Sequence, residues 1–218
     1  MKTKKEISHI LTEIARMYPD IRTELRYETP FQFLIAVILS AQTTDKQVNK
    51  ITPAIFARVR EPEDMTKLSL EELESMVSSV NFYRNKAKFI WKSGEKLARE
   101  FGGVIPNDLH KIQTLPGVGI KTAKVVLAVL YDAPYVGVDT HVHRVMNRIG
   151  IVKTKSPEVT DRILEKKLTY EQKMIIHHPL VLFGRYHCMA RKPKCGSCPI
   201  REMCDFGRRG LISEGKSV

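Results

Sequence analysis

The sequence predicts an all-α protein, and three observations support this fold class. Apolar residues return at intervals of three and four along the 218 residues, the spacing of one face of an α-helix. No run shows the sustained alternation of apolar and polar residues that marks a half-buried β-strand. Capping residues recur just ahead of the apolar patterns, as they do where helices begin. We therefore expect helices joined by short turns, with no internal repeat.

The first half of the chain predicts a buried central helix and several amphipathic ones. Residues 7–17 carry one apolar stripe, whereas residues 31–39, capped by Thr29, are apolar on nearly all sides and should be central. Asp45 is expected to cap the next helix, and Pro53 should break it because proline lacks an amide hydrogen. Two further helices are predicted in this half of the chain. One follows the capping box at Ser69, and the other spans residues 86–100.

The second half adds shorter helices around one central stretch. A short helix is expected from Pro106 to Leu115, and Asp139 or Thr140 should cap another. The last two helices predicted begin at Ser156-Pro157 and over Met174 to Tyr186.

Residues 115–123, LPGVGIKTA, predict a helix stop, a tight glycine turn and a second helix start. Pro116 ends the first helix, and Gly117 and Gly119 can adopt backbone angles closed to other residues. Amide N–H groups then point outward at a helix N-terminus, where a phosphate can bind. Lys121 lies in that second helix, and Asp139 follows eighteen residues later. A phosphate site near a lysine and a carboxylate indicates chemistry on a phosphodiester polymer.

The charge balance favours a polyanionic partner and the hydropathy pattern argues against a membrane protein. Lys and Arg number 36 against 24 Asp and Glu, a formal net charge of +12. The longest apolar runs have seven residues, far short of the roughly 20 that span a bilayer. The N-terminus leads into an amphipathic pattern rather than the apolar core of a signal peptide. We expect a cytoplasmic protein with no membrane partner.

The four cysteines form one local cluster near the C-terminus: Cys188, Cys195, Cys198 and Cys204. Without an expected export signal, metal binding is a better interpretation than two disulfides. Zinc usually takes two close pairs, and only Cys195 and Cys198 form one, so the wider gaps favour an iron–sulfur cluster and leave zinc open. The loop inside the cluster carries three cations that suit phosphate contact: Arg191, Lys192 and Lys194.

The hairpin with Lys121, the segment Val138-Asp139-Thr140-His141 and the cysteine tail together resemble the endonuclease III family of helix-hairpin-helix DNA glycosylases. Further matches are 34–42, Asn49-Lys50 and Gly184-Arg185-Tyr186, so the resemblance covers roughly residues 7–206. It implies a bifunctional enzyme of base excision repair. Such an enzyme removes oxidised pyrimidines from double-stranded DNA and nicks the abasic site by β-elimination.

The same resemblance implies an architecture and a cofactor. Residues 22–132 would form a six-helix domain with the helix-hairpin-helix, and residues 1–21 and 133–218 a cluster domain, with a DNA-binding cleft between them. The four cysteines would hold a [4Fe-4S] cluster. The protein would be monomeric and, in a prokaryote, associated with the nucleoid.

The resemblance also assigns roles to individual residues. Lys121 would be the nucleophile, and Asp139 would stabilise the cationic sugar. Gln42 and Phe82 would wedge into the duplex when the target nucleotide rotates out, and His141 would support DNA binding. Gly117, Gly119 and the basic loop would contact phosphates. Asn81 departs from the glycine that relatives often have before the second wedge.

Two alternative functions share some of these features. A mismatch-specific monofunctional glycosylase would share the cluster and the aspartate but lack the lysine. A non-catalytic DNA-binding protein would use the hairpin together with a zinc knob. In a bare hairpin, Lys121 would be a phosphate contact and Asp139 a plain helix cap; the accompanying cysteine tail favours the catalytic roles.

Overall fold

The computed structural model describes residues 2–19 and 23–214, with side chains up to residue 209. In this part of the chain every regular element is helical and no strand is present, which confirms the all-α fold class. The α-helices are α1 Lys4–Arg16, α2 Pro30–Ser40, α3 Asp45–Phe56, α4 Leu70–Met76, α5 Tyr83–Glu100, α6 Leu109–Ile112, α7 Ile120–Leu130, α8 Thr140–Ile149, α9 Pro157–Lys167, α10 Tyr170–Leu182 and α11 Asp205–Glu214. Shorter 3₁₀ turns span Pro62–Lys67, Cys195–Ser197 and Arg201–Met203, and a π-helical turn spans Phe183–His187.

Backbone contacts divide the chain into two compact units, one of which is Thr23–Ala133. Helix α2 lies at its centre, in contact with α3, α5 and α7. Residues 31–39 are all buried, as the sequence predicts for a helix that is apolar on nearly all sides. Thr29 caps α2, because its side chain accepts a hydrogen bond from the Gln32 amide.

Helix α3 runs without interruption through Pro53, so the predicted break there is wrong. Its N-cap is Thr44, not Asp45, since the Thr44 hydroxyl accepts from the Gln47 amide. Proline removes one helical hydrogen bond. The buried face formed by Val48, Thr52 and Ile55 keeps the helix in place despite that loss.

The other unit has the bounds Met1–Arg22 and Pro134–Val218. In it α1 packs on α10, and α8 contacts α9, α10, α11 and the π turn. Its hydrophobic core contains the apolar face of α1 together with residues far along the sequence, up to Cys204. Along the described chain, no helix is long and apolar enough to cross a bilayer. The domain division at 22–132 stays a prediction.

Element boundaries differ from the sequence prediction at several places. Helix α5 begins at Tyr83, three residues before the predicted start at Lys86. Phe82, the N-cap of α5, has a left-handed backbone conformation. Helix α6 has only four residues, and α10 begins at Tyr170 and continues as the π turn. Helix α11, directly after the last cysteine, is not predicted.

Candidate functional site

The predicted helix-hairpin-helix is formed by α6, residues 113–119 and α7. Asp108 caps α6 by accepting from the amides of His110 and Lys111. The turn is closed by the Val118 amide, which donates to the Leu115 carbonyl at 3.1 Å. From α5, the Ser93 hydroxyl donates to the Pro116 carbonyl at 2.8 Å and so holds the turn against that helix.

Gly117 is required at its position by both backbone conformation and space. Its φ of +79° lies in the left-handed region, which side chains other than glycine rarely adopt. A Cβ atom there would lie 2.8 Å from Cβ of Phe89 on α5. The turn therefore reaches its observed position only with glycine.

The N-terminus of α7 is built as an anion site. Gly119, its N-cap, has no side chain to cap the helix, and the first amide bonded back into the helix is that of Ala123, to the Gly119 carbonyl at 2.9 Å. The amides of residues 120–122 are the ones a helix leaves without an intrahelical acceptor. Lys121 lies within this first turn and is exposed. A phosphate-bearing ligand bound here would meet the Lys121 side chain.

Asp139 is the N-cap of α8 in the other unit. Its Oδ1 atom accepts a hydrogen bond from the Val142 amide at 2.8 Å, so the carboxylate is held at a fixed position. The side chain is half-buried. Capping uses one of two carboxylate oxygens, so a cap and a second role are compatible.

His141, half-buried on α8, is held beside two arginines. Nη2 of Arg144 lies 3.3 Å from its Nδ1 atom. Burial lowers the pKa of His141, and the positive charges of Arg144 and Arg185 lower it further. The Asp139 carboxylate acts in the opposite direction and raises it. Gly184 admits this packing, since a Cβ there would lie 2.8 Å from Cβ of His141. A neutral imidazole is therefore the favoured form near pH 7.

The four cysteines are free thiols that line one cavity. Apolar side chains complete its wall: Ile149, Phe183, Ile200 and Phe206. In the described ranges, no three or more His, Cys, Asp or Glu side chains are grouped tightly enough to hold a metal ion. The thiols instead surround a shared space, which fits a cluster of several iron atoms.

The chemistry of the thiols also fits such a cluster. Burial raises the pKa of Cys198 to about 11, with the neighbouring thiols adding to the effect, and burial raises the pKa of Cys204 in the same way. Thiolates in this cavity therefore need positive charge beside them, and bound iron provides it. Arg148 already donates toward Sγ of Cys188 at 3.6 Å and stacks on Phe206, 4.5 Å from the ring centroid.

The remaining predicted DNA contacts are exposed. Arg191, Lys192 and Lys194 lie on the loop between the first two cysteines, and Lys192 has a positive φ of 50°. Gln42 and Phe82 are also exposed, and Asn81 joins their two loops through a hydrogen bond to the Gln42 carbonyl. These positions are compatible with DNA contact, and the individual roles stay predictions.

Two features that hold candidate site residues in place are not predicted from the sequence. Arg144 and Arg148, four residues apart on α8, donate to the carbonyls of Gly184 and Met189 at 2.7 and 2.6 Å, and so hold the π turn and the start of the cysteine loop. Lys86 is buried and bonded to backbone near Gln42. The spacing of Arg144 and Arg148 on one helix face is a sequence signal for the first feature. No local sequence signal indicates that Lys86 is buried.

Comparison with known proteins decides the family. The family model for the HhH-GPD superfamily base excision DNA repair protein matches residues 35–169, and that for the iron-sulfur binding domain of endonuclease III matches residues 188–204. Endonuclease III of Bacillus subtilis (strain 168) is 40% identical over 217 residues, which cover 97% of this chain and 99% of that protein. The chain belongs to the endonuclease III family.

Solved structures agree with this membership. The structure of a trapped endonuclease III–DNA covalent intermediate matches with a TM-score of 0.89 and 43% identity, covering 97% of this chain and 100% of that one. Endonuclease III of Escherichia coli (strain K12) is 41% identical over 90% of this chain and 93% of its own length. A thermostable thymine-DNA glycosylase, 23% identical with a TM-score of 0.84, shares the fold.

The family defines the general activity. This endonuclease III-family chain is a DNA-binding enzyme of base excision repair, a bifunctional DNA glycosylase and AP lyase. Its cofactor is a [4Fe-4S] cluster in the segment 188–204, which resolves the alternative of a zinc site. The comparisons favour neither the monofunctional mismatch glycosylase nor the non-catalytic DNA-binding protein.

Proposed function

We propose that the enzyme acts on double-stranded DNA containing an oxidised pyrimidine or an abasic site, with Lys121 as nucleophile and Asp139 as the carboxylate that stabilises the cationic sugar. The observation that carries this proposal is the place of Lys121, exposed in the first turn of α7 next to amides that can bind a phosphate. The covalent complex with DNA trapped for a 43% identical endonuclease III supports a covalent route.

In the proposed reaction the Nζ atom of unprotonated Lys121 attacks C1′ of the damaged nucleotide. The C1′–N bond breaks, and the base leaves with the bonding electron pair and takes up a proton. The amine nitrogen, now bonded to C1′, loses a proton and forms the C=N bond of a Schiff base as the C1′–O4′ bond breaks and O4′ takes up a proton. Loss of a C2′ proton allows β-elimination, in which the 3′ phosphate leaves and the strand is cut.

Asp139 is proposed to stabilise positive charge on the sugar as the base departs and to assist proton transfer. Its hydrogen bond to the Val142 amide supports this role, because a carboxylate fixed before the reaction need not reorganise during it. His141, two residues later and favoured as neutral, is proposed to support the bound DNA without adding charge.

The target base is stacked inside the duplex, so the nucleotide must rotate out before attack. We propose that Gln42 and Phe82 fill the space it vacates. Gly117 and Gly119 let the backbone of the turn approach a phosphate, and the exposed cations Arg191, Lys192 and Lys194 contact phosphates of the DNA backbone.

The ligands of the cluster are proposed to be the four cysteines that line the cavity. When bound, the cluster supplies cross-links between segments 188–195 and 198–204 rather than a reactive group. The chain's own contacts assist it, since Arg148 donates to the carbonyls of Met189 and Ala190 at 2.6 and 2.9 Å. The loop with the basic residues is thereby held at both ends.

Borohydride trapping on a duplex containing thymine glycol tests the proposal. Wild type should give a covalent protein–DNA band, and Lys121→Gln should give none. Lys111→Gln removes an exposed lysine of the neighbouring helix α6 and should keep the band. Base loss without a band would move the assignment to a water-using glycosylase, and a band retained by Lys121→Gln would exclude Lys121 as nucleophile.

Asp139→Asn separates catalysis from helix capping. Asparagine caps helices about as well as aspartate, so the thermal stability should stay within about 0.5 kcal/mol of wild type. The rate of base release should fall markedly, because the negative charge is gone. Full activity in Asp139→Asn would reduce Asp139 to a cap.

We also propose that the enzyme is a monomer and that it works in the cytoplasm, at the nucleoid of a prokaryote. The bacterial sources of the relatives support this location. Sedimentation of the holoenzyme, with and without DNA, tests the monomer; a dimer at micromolar protein would contradict it.

A further inference from the structure

The two residues proposed as wedges share an unusual backbone conformation. Gln42 has a φ of +55° and Phe82 a φ of +57°, both in the left-handed region. Residues with side chains adopt this region at an energetic cost, and they keep it only where the surroundings impose it. Both side chains are exposed, Phe82 to 63%, so their own packing does not explain the conformation.

Asn81 connects the two positions directly. Its side-chain amide Nδ2 donates to the backbone carbonyl of Gln42 at 2.9 Å, across 39 positions of sequence. Asn81 immediately precedes Phe82, so one hydrogen bond ties the loop after α2 to the N-terminus of α5. A glycine at position 81 would lack this donor.

Lys86 makes a second connection from the first turn of α5. Its Nζ atom donates to the Leu39 carbonyl at 2.8 Å and to Oγ1 of Thr43 at 2.9 Å, on either side of Gln42. The lysine is only 4% exposed, which is unusual for its type. Its ammonium lies at the C-terminal end of α2, where a cation is favourable. The Lys86 amide also donates to the Phe82 carbonyl at 3.1 Å.

We infer that Asn81 and Lys86 are positioning residues that hold Gln42 and Phe82 as one preformed wedge for rotating the target nucleotide out of the duplex. The inference rests on the proposed function, because it takes the wedge role of both residues from there. A frame set before DNA binds leaves less conformational entropy to be lost when the duplex opens. Neither residue has a role at the reacting atoms.

The test compares base release with cleavage of a preformed abasic site, each in a single turnover. Lys86→Met removes both side-chain hydrogen bonds, and Asn81→Leu removes one with little change of shape. We expect base release to fall about tenfold or more in Lys86→Met and about fivefold in Asn81→Leu. Cleavage of the abasic duplex should fall less, because no base has to be unstacked. Lys88→Met, an exposed charge loss on the same helix, is the control for DNA affinity and should match wild type in both steps.

Fluorescence of 2-aminopurine next to the lesion reports rotation directly, and it should be slower in both variants. In a Gln42→Ala/Phe82→Ala background, Asn81→Leu should cost no further activity if Asn81 acts through the wedge. A further fivefold loss would indicate a separate structural role and overturn the inference for Asn81. Because Asn81 is exposed, Asn81→Leu remains decisive even if Lys86→Met fails to fold.

The wedge itself is tested separately. If Gln42→Ala and Phe82→Ala release base at the wild-type rate, the proposed wedge role is wrong. If those two variants are impaired while Asn81→Leu and a folded Lys86→Met rotate the nucleotide as wild type does, the wedge stands and the positioning inference is wrong.

Discussion

Replacement of Gly117 by alanine should damage the hairpin through two separate effects. The left-handed φ of +79° costs an alanine about 1–2 kcal/mol. The new Cβ would also lie 2.8 Å from Cβ of Phe89 and 2.9 Å from its ring, and overpacking of this kind costs about 1–3 kcal/mol. The free energy of unfolding should therefore fall by about 2–5 kcal/mol.

Urea unfolding followed by far-ultraviolet circular dichroism measures this change. With m near the upper end of about 1–3 kcal/mol/M for a chain of this size, the midpoint should fall by about 1–2 M. Adding Phe89→Ala to Gly117→Ala removes the ring contacts but keeps the contact with Cβ, so it should relieve only part of the steric cost relative to Phe89→Ala alone. The remaining loss should be smaller than in the single variant but no less than the backbone part of about 1–2 kcal/mol.

Gly119→Ala is the matched control two residues away. Gly119 has a φ of −80° and a Cβ there would meet no atom within 4 Å, so Gly119→Ala should cost no more than about 1 kcal/mol, from the weaker N-capping of alanine. A wild-type midpoint for Gly117→Ala, or a loss of stability in Gly119→Ala as large as that in Gly117→Ala, would refute both effects assigned to Gly117.

Three further changes test other parts of the structure. A side-chain hydrogen bond from Lys67 and two backbone amides lower the pKa of Asp64 to about 2. Asp64→Asn should therefore lower the free energy of unfolding by about 1–2 kcal/mol at pH 7. In urea titrations at several acidic pH values, this difference from wild type should shrink as the pH falls from 3.8 through 2. Gly184→Ala should cost about 1–3 kcal/mol in the same assay, because its Cβ would lie 3.3 Å from the backbone of His141. Cys198→Ala should lose iron and brown colour, measured by iron analysis and visible absorption.

Each of these has its own control or contradictory outcome. Gly196→Ala, in open space on the cysteine loop, should leave stability unchanged, and a loss equal to that of Gly184→Ala would contradict the packing argument. A difference for Asp64→Asn that persists undiminished at pH 2 would exclude its carboxylate as the cause. Full iron content in Cys198→Ala would remove Cys198 from the ligand set.

Local capping chemistry made much of the fold predictable from sequence. Thr29, Ser69, Asp139 and Ser156 each cap a helix as predicted, because a hydroxyl or carboxylate needs only an amide two or three residues away. The predicted break at Pro53 is wrong because packing of the buried face of α3 outweighs the one hydrogen bond that proline removes. The sequence alone does not show how that face packs.

The candidate site was predictable where chemistry is local and not where it depends on distant partners. The hairpin and the cysteine cavity follow from residues close together in sequence. Lys86 has the composition of an ordinary surface lysine, and its acceptors lie 47 and 43 positions away. Arg148 likewise bonds to carbonyls about 40 positions downstream. Such contacts exist only once the chain has folded.

Because α1 packs on α10, the time at which α1 can be buried during synthesis depends on when α10 is made. About 150 residues separate these two helices, so at synthesis rates of roughly 5–20 residues per second α1 waits on the order of ten to thirty seconds for its partner. Lys2 waits longer still for Asp205, to which it is bonded at 2.8 Å. During that interval the whole of the compact unit 23–133 is made, while the amphipathic stripe of α1 stays uncovered. Newly made N-terminal fragments should therefore bind chaperones through α1 until translation reaches the cysteines.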